Sequence, residues 1–316
     1  MTERRRIGVL VMSYGTPENM EAIEAYYTHI RHGRPPTPEQ LQELKDRYAA
    51  IVGGVFPLRE HTNKQVEALQ EALDANGGDV EYVCFQGLKH ASPFIEDGVR
   101  QIAEAGIKEA VGIVLAPHYS VMSVGSYIKR AEQAAVELGI SFRFAKSYYS
   151  RPELVEAFAE RIQEALGKFT GGLNQVRVLF SAHSLPEKIL KMGDPYVDQL
   201  LVTSKLIAEK VGLADWQFVW QSAGRTADPW LGPDILDVMK NLEREGVKQI
   251  LSCPIGFVSD HLEILYDLDI EAKQLAEELG IHFERIRSLN QDPKYIGLLR
   301  DIVLELADKA PGQYEM

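Results

Sequence analysis

The chain has 316 residues and a formal net charge of -12 at pH 7, with 45% hydrophobic and 25% charged residues. This composition is typical of a soluble globular protein, and the length suggests about two domains. The acidic balance disfavours nucleic acid as a partner, because surfaces that bind nucleic acid are basic.

The N-terminal segment and the cysteines indicate a cellular compartment. Arg4–Arg6 is too short a basic run for a transit peptide, and the apolar segment that follows, Ile7–Met12, is too short for a signal peptide or a membrane span. Cys84 and Cys253 both lie in apolar runs typical of strands, which predicts buried thiols and neither a disulfide framework nor a zinc site. We therefore expect a cytoplasmic protein without a membrane span, and nothing in the sequence requires more than a monomer.

Eight apolar segments of strand length follow one another along the chain, with helical patterns between them. The predicted strands are Ile7–Met12, Val80–Gln86, Ala110–Ala116, Phe142–Ala145, Val176–Ser181, Gln217–Gln221, Gln249–Pro254 and Phe283–Arg287. The clearest predicted helices are Glu60–Ala75, Pro152–Leu166 and Asp198–Val211. This alternation predicts an α/β fold in which parallel sheets are flanked by helices, and ligands bind such sheets outside the carboxyl ends of the strands.

The stretch from Tyr26 to Leu58 interrupts this alternation. It contains Arg31–Pro38, a short helical pattern and Gly53–Pro57. A long insertion in a compact α/β domain is usually a lid or a binding loop, and its arginines suit carboxylate ligands.

The two halves of the chain contain similar segments in the same order. Residues 9–18 resemble residues 178–187, and residues 106–117 resemble residues 246–254. This order predicts a domain-scale duplication, although strand-turn-helix units can also resemble one another by composition alone. We place a linker near residues 168–175.

The predicted domains follow from this linker. Residues 1–170 form the first lobe, with the insertion near residues 26–58, and residues 171–316 form the second lobe. The last helix is expected to be able to pack back on the first lobe.

His183 ends an apolar run, and Pro186 then opens a helical pattern. A histidine at the carboxyl end of a buried parallel strand can bind a metal ion or transfer a proton near neutral pH. The alternative is a structural or solvent-facing histidine, which is about as common at such a position.

Glu263, Asp267 and Glu271 follow another apolar run. If this segment is α-helical, the three carboxylates lie on one face with i, i+4, i+8 spacing and could pass on a divalent cation. The alternative is a solvated helix face, which is the usual role of a run of charges.

The segment Trp220–Pro233 contains two tryptophans, two glycines and two prolines in an irregular pattern. It predicts a shaped wall for a flat apolar ligand, which Tyr119 and Tyr127 could extend; alternatively, these tyrosines cover a core. The sequence contains no GxGxxG, P-loop or GxSxG pattern, so a nucleotide cofactor and a hydrolase nucleophile are not supported.

Three spaced motifs together resemble the ferrochelatase family. They are Leu179–Tyr196 with its Ser-Ala-His-Ser-Leu-Pro core, Trp220–Ser222 with Trp230–Pro233, and Gly256–Glu263. The resemblance extends from Tyr14–Pro17 to about residue 300. It implies two similar Rossmann-like lobes, each a parallel sheet flanked by helices, with a porphyrin cleft between them.

The short chain, without a C-terminal extension or cluster cysteines, is most similar to the soluble bacterial coproporphyrin branch of that family. The resemblance implies that His183 and Glu263 are the catalytic, iron-binding residues, and from the carboxylate run we expect Asp267 and Glu271 to bind partly hydrated iron and pass it inward. It also implies porphyrin contacts, with Tyr14 on the opposite porphyrin face as a potential axial ligand. These positions are Tyr14, Arg31, Arg47, Tyr48, Tyr127 and Trp230. One position departs from the family pattern, because Phe56 replaces a serine after the Gly-Gly pair and puts a hydroxyl contact there in doubt.

The resemblance implies insertion of Fe2+ into coproporphyrin III to give coproheme. Iron and porphyrin are both substrates, so we expect no permanently bound cofactor, and the partners are these small molecules with transient contacts to neighbouring haem-pathway enzymes. The alternatives are a protoporphyrin IX ferrochelatase, another tetrapyrrole metal chelatase, or a non-catalytic haem-binding or haem-transfer protein. Whether His183 binds iron or accepts a pyrrole proton stays open at this stage.

Overall fold

Two parallel sheets form the framework of the protein. The computed structural model describes residues 4–52, 56–224, 226–309 and 314–315. Residues 53–55 of the predicted insertion and Arg225 of the tryptophan-rich segment lie outside the described residues. The chain divides into two compact units, the first comprising residues 1–148 and 290–316 and the second residues 149–289.

The first unit is built on a five-stranded parallel sheet with the order β2-β1-β3-β4-β9. Its strands are β1 (Arg5–Ser13), β2 (Val80–Leu88), β3 (Glu109–Val114), β4 (Ser141–Ala145) and β9 (Tyr314–Glu315). Its described helices are α1 (Ile23–Ile30), α2 (Pro38–Val52), α3 (Pro57–Asn76), α4 (Ile95–Glu104), α5 (Val124–Leu138) and α12 (Pro293–Ala307). The inner strand β1 is buried from Ile7 onward, and its continuous apolar run is explained because both faces of an inner strand in a parallel sheet are covered.

The second unit is built on a four-stranded parallel sheet with the order β6-β5-β7-β8. Its strands are β5 (Arg177–His183), β6 (Trp216–Gln221), β7 (Gln249–Cys253) and β8 (His282–Arg285). Its described helices are α6 (Pro152–Leu166), α7 (Lys188–Lys191), α8 (Tyr196–Val211), α9 (Ile235–Arg244), α10 (Leu262–Leu265) and α11 (Lys273–Leu279), with a π-helix at Asp267–Ala272 between the last two.

The two sheets share one topology. In each unit the first four strands in chain order lie side by side as second, first, third and fourth. All eight predicted strands are confirmed, and so is the prediction of two similar α/β lobes. In this topology the chain reverses its direction of travel between the first and third strands, and ligands bind at the carboxyl ends of those two strands.

The boundary between the units differs from the predicted one. The division lies between Tyr148 and Tyr149 rather than near residue 170. Helix α6 belongs to the second unit because it packs on α8 and also contacts β7. Helix α12 packs on α3, β3 and β4, so the C-terminal residues belong to the first unit.

Two sequence features are visible in the packing. Cys84 and Cys253 are both free thiols, and burial raises the pKa of each. Among the described parts of the chain, no helix has an apolar stretch long enough to cross a membrane.

Candidate active site

His183 is the last residue of β5, the strand at the reversal point of the second sheet. Its backbone pairs with Gln221 of β6, and its carbonyl oxygen accepts a hydrogen bond from Tyr196 Oη at 3.2 Å. The imidazole Nδ1 hydrogen-bonds to the carbonyl oxygen of Ser184, so Nδ1 carries a proton and Nε2 points elsewhere. These contacts fix the direction in which the imidazole extends from the strand.

The other ring nitrogen of His183, Nε2, points toward the carboxylate of Glu263. Its Oε1 lies 3.3 Å from His183 Nε2, and the two side chains are 32% and 30% exposed. Burial alone would lower the pKa of His183, but the carboxylate outweighs burial and raises the pKa to about 9. Burial likewise opposes ionisation of Glu263, yet the histidine contacts hold the pKa of its carboxyl well below the usual range. The resting pair is therefore an imidazolium and a carboxylate at neutral pH.

His261 is a third member of this group that its sequence spacing did not predict. Its Nε2 lies 3.4 Å from Glu263 Oε2, and its Nδ1 hydrogen-bonds to the carbonyl oxygen of Ser259 at 2.9 Å. Residues two apart do not share a helix face, which argued against this contact. His261 is instead the extended residue that precedes α10, with φ of -159°, so its side chain can turn back toward Glu263. The sequence signal for this contact is the position of His261 directly before the start of a helix.

Gln221 links the two strands that present the site. Its side-chain oxygen accepts a hydrogen bond from Ser181 Oγ at 2.9 Å, and its Nε2 donates to the carbonyl oxygen of Glu263 at 3.0 Å. Its own carbonyl oxygen accepts from Ser184 N at 2.8 Å. A buried amide with both ends satisfied holds β5, β6 and the start of α10 in fixed positions.

Asp267 is buried, and Ser222 Oγ donates a hydrogen bond to its Oδ2. Ser222 follows β6 with φ of +59°, a left-handed conformation that costs a non-glycine residue about 1–3 kcal/mol. This backbone turn directs the hydroxyl toward Asp267. The strained backbone of Ser222 thus lies beside Asp267, one of the predicted metal-binding residues.

The expected regular ladder of carboxylates is not present. Helix α10 ends at Leu265 and the π-helix begins at Asp267, where Glu271 N bonds to the carbonyl oxygen of Tyr266 at 2.9 Å. A π-helix has an i→i+5 pattern, so the i, i+4, i+8 face predicted for a continuous α-helix does not apply. Asp267 is buried beside Ser222, whereas Glu271 is exposed.

Trp230 lies near His183, with their ring centroids 6.3 Å apart. Its indole Nε1 donates to Thr226 Oγ1 at 2.9 Å, and its backbone forms a bridge with Pro186. The indole lies directly over Gly224, where an added Cβ would be 2.4 Å from the ring. The glycine is therefore required for the indole to lie in this position.

In the first unit, the predicted porphyrin positions Tyr14 and Tyr127 lie on either side of the turn that follows β2. The Tyr14 ring, 42% exposed, packs on His90 with centroids 4.6 Å apart. The Lys89 ammonium lies 5.0 Å from the centroid of the Tyr127 ring, which is buried. These positions are near the carboxyl ends of β1 and β2.

The predicted insertion forms the two helices α1 and α2, which pack on each other. Arg31 follows α1, and its guanidinium lies 5.6 Å from the centroid of the Tyr27 ring. Arg47 lies on α2 beside Tyr48, whose hydroxyl is 3.2 Å from Thr16 Oγ1.

Phe56, the departure from the family pattern, is a buried residue. Its ring centroid lies 5.1 Å from that of Tyr48. The residue at this position therefore contributes packing to the start of α3.

Within residues 4–52, 56–224, 226–309 and 314–315, no group of three or more His, Cys, Asp or Glu side chains could hold a metal ion. His183 and His261 each contact the carboxylate of Glu263.

Comparison with known families gives a match over nearly the whole chain. The model of the ferrochelatase family matches residues 6–307. This chain belongs to the ferrochelatase family. The predicted resemblance is thus confirmed, and the metal-chelatase class of enzyme with it.

Curated relatives are similar to this chain over nearly their full length. It is 48% identical over 307 residues to the coproporphyrin III ferrochelatase of Oceanobacillus iheyensis, covering 96% of this chain and 98% of that one. It is 46% identical over 305 residues to the coproporphyrin III ferrochelatase of Bacillus subtilis, covering 96% and 98%. A protein of Herpetosiphon aurantiacus named simply ferrochelatase is 48% identical over 301 residues, covering 94% and 98%.

Solved structures show the same fold at low sequence identity. The sirohydrochlorin chelatase SirB of Bacillus subtilis with Fe3+ superimposes with a TM-score of 0.62 at 13% identity, covering 96% of each chain. The SirB structure with cobalt gives a TM-score of 0.58, also at 13% identity and 96% coverage of each chain. The chain therefore shares the fold of these chelatases.

Proposed function

We propose that the protein inserts Fe2+ into coproporphyrin III and releases coproheme. The supporting observation is the identity of 46–48% over nearly the full chain to proteins named coproporphyrin III ferrochelatases. Both iron and porphyrin are substrates in this reaction. The two free cysteines fit a reducing compartment, and we propose the cytoplasm.

His183 and Glu263 are the proposed iron-insertion pair. At neutral pH the imidazole of the resting pair is already protonated, because its pKa is about 9. An imidazolium can neither accept a pyrrole proton nor bind a metal ion. Either role would therefore require the imidazolium to lose its Nε2 proton to solvent first; Fe2+ that then reaches the pair would take the place of this proton between the imidazole and the carboxylate, with His183 and Glu263 as its ligands.

The other predicted residues have supporting roles in this proposal. Trp230, placed 6.3 Å from the His183 ring, would press on the porphyrin face. Bending the macrocycle tilts the nitrogen lone pairs toward the metal, and peripheral binding energy supplies the strain. Asp267 and Glu271 would receive partly hydrated iron. Arg31 and Arg47 would bind propionates, since guanidinium matches a carboxylate with two hydrogen bonds.

The deciding experiment is anaerobic Fe2+ insertion with coproporphyrin III and protoporphyrin IX in parallel. We expect turnover with coproporphyrin III and a lower kcat/KM with protoporphyrin IX. Preference for protoporphyrin IX would instead favour a protoporphyrin IX ferrochelatase. Binding of both porphyrins without turnover would instead indicate a haem-binding or haem-transfer protein.

A substitution tests the site assignment within the same assay. His183→Ala should reduce insertion by about a thousandfold or more, because an essential ligand is lost, while near-UV circular dichroism stays unchanged. Near wild-type insertion by this variant would contradict the assignment of the iron site.

A further inference from the structure

Lys89 is held at the carboxyl end of β2, next to β1. Its backbone N–H donates to the carbonyl oxygen of Ser13 at 2.9 Å, and its carbonyl oxygen accepts from Arg130 Nη1 at 2.7 Å. The direction of the lysine side chain is therefore set by two long-range backbone contacts rather than by a free loop.

The Lys89 ammonium has no anionic partner among the described residues. It lies 5.0 Å from the centroid of the Tyr127 ring and 3.4 Å from the carbonyl oxygen of Met122. The nearby carboxylate of Glu96 is bound by both arms of Arg130, at 2.7 and 2.6 Å. The ring face and one carbonyl stabilise the ammonium only partly.

A half-buried cation without a counter-ion is energetically unfavourable. Burial and the positive charge of Arg130 lower the pKa of Lys89 to about 8. The ammonium therefore stays mostly charged at neutral pH. The next residue, His90, brings no charge, because burial and Lys89 lower its pKa to about 3. The site presents one positive charge that the protein itself does not neutralise.

Two positions that match porphyrin contacts in the family are close to this residue. Tyr127 lies under the ammonium, and Tyr14 packs on His90, the residue that follows Lys89. In the proposed function Arg31 and Arg47 bind two propionates, as many as a dicarboxylic porphyrin has. We propose that Lys89 binds a further carboxylate, one that coproporphyrin has and protoporphyrin lacks. The inference rests on the proposed function and names a residue for its substrate preference.

The test measures equilibrium binding of coproporphyrin III and protoporphyrin IX by porphyrin fluorescence, without iron. Lys89→Met removes the charge but keeps an unbranched side chain over Tyr127. Lys89→Arg keeps the charge. The matched control is Lys129→Met, which removes the same charge from an exposed position on α5.

We expect Lys89→Met to raise the Kd of coproporphyrin III about tenfold or more, which corresponds to about 1.4 kcal/mol. In Lys89→Met the Kd of protoporphyrin IX should change less than about twofold. In Lys129→Met and in Lys89→Arg the Kd of each porphyrin should also change less than about twofold, because the positive charge of residue 89 rather than its packing binds the carboxylate. An unchanged coproporphyrin Kd in Lys89→Met, an equal loss for both porphyrins, or a Lys89→Arg variant as weak as Lys89→Met would overturn the proposal. Failure of the wild type to insert Fe2+ would refute the proposed function but leave these binding constants measurable.

Discussion

Glu263→Gln removes the carboxylate that keeps His183 protonated, while the size of the side chain is retained. In the wild type the pKa of His183 is about 9, against an ordinary value of 6.5. In the variant, burial is the largest remaining influence, and it lowers the pKa. We expect the pKa of His183 in the variant to fall to its ordinary value or below it.

This change has a defined effect on stability. One pKa unit corresponds to about 1.36 kcal/mol, so the rise of the His183 pKa from 6.5 to about 9 stabilises the folded protein by about 3 kcal/mol. Because the folded-state pKa of His183 is raised, its stabilisation is fully present below pH 6.5 and is lost as pH rises through about 9. The unfolding free energy of the wild type should therefore decline over this window, and that decline should be absent in Glu263→Gln.

Histidine-selective NMR titration measures the pKa directly, and His183→Ala assigns the signal. The matched control is Glu284→Gln, which removes a carboxylate 3.6 Å from His282 Nε2 on the surface of the same unit. This control should leave the titration of His183 unchanged. A His183 signal that still titrates near pH 9 in Glu263→Gln would refute the electrostatic account of the pair.

Three further predictions concern residues around the pair. Gly224→Ala should displace the Trp230 indole, since the new methyl group would lie 2.4 Å from the ring. We expect a several-fold loss of kcat and a shifted tryptophan emission. An unchanged emission spectrum would contradict the argument that only glycine fits beneath the indole. Arg285→Gln breaks ion pairs to Asp260 and Asp269, at 3.2 and 2.7 Å, which hold the segment that contains Glu263. It should cost about 3 kcal/mol of unfolding free energy in urea, against less than about 1 kcal/mol for the exposed Arg287→Gln. Equal losses in the two variants would show that these ion pairs do not hold the segment. Glu271→Ala should raise the apparent KM for Fe2+ with little change in kcat, and an unaltered iron dependence would argue against a metal path through this exposed side chain.

Local signals in the sequence predicted most of the elements. Helix α6 has the predicted bounds, Pro152–Leu166, because a proline begins it and a glycine follows it. His183 was placed at a strand end because the apolar run of a buried parallel strand stops at that residue. These features depend on neighbouring residues, which the sequence displays directly.

Features that depend on distant contacts were not predicted. The return of α12 to the first sheet was expected, but the unit boundary after Tyr148 also depends on α6 packing against α8, which was not. The contact of His261 with Glu263 depends on the extended backbone before α10. The π-helix has no local signature that distinguishes it from an α-helix. Periodicity alone therefore predicted one regular α-helical face for the carboxylates, which the π-helix does not provide.

The hydrogen bonds around His183 and Glu263 bear on how the proposed iron site can adapt to its metal. His183, at the end of β5, pairs with Gln221 of β6, whereas β5 pairs with β7 only as far as Phe180. Gln221 Nε2 also donates a hydrogen bond to the backbone carbonyl oxygen of Glu263 at 3.0 Å. The backbones of both residues are therefore tied to Gln221, and we expect adjustment to ions of different radius to come from their side chains.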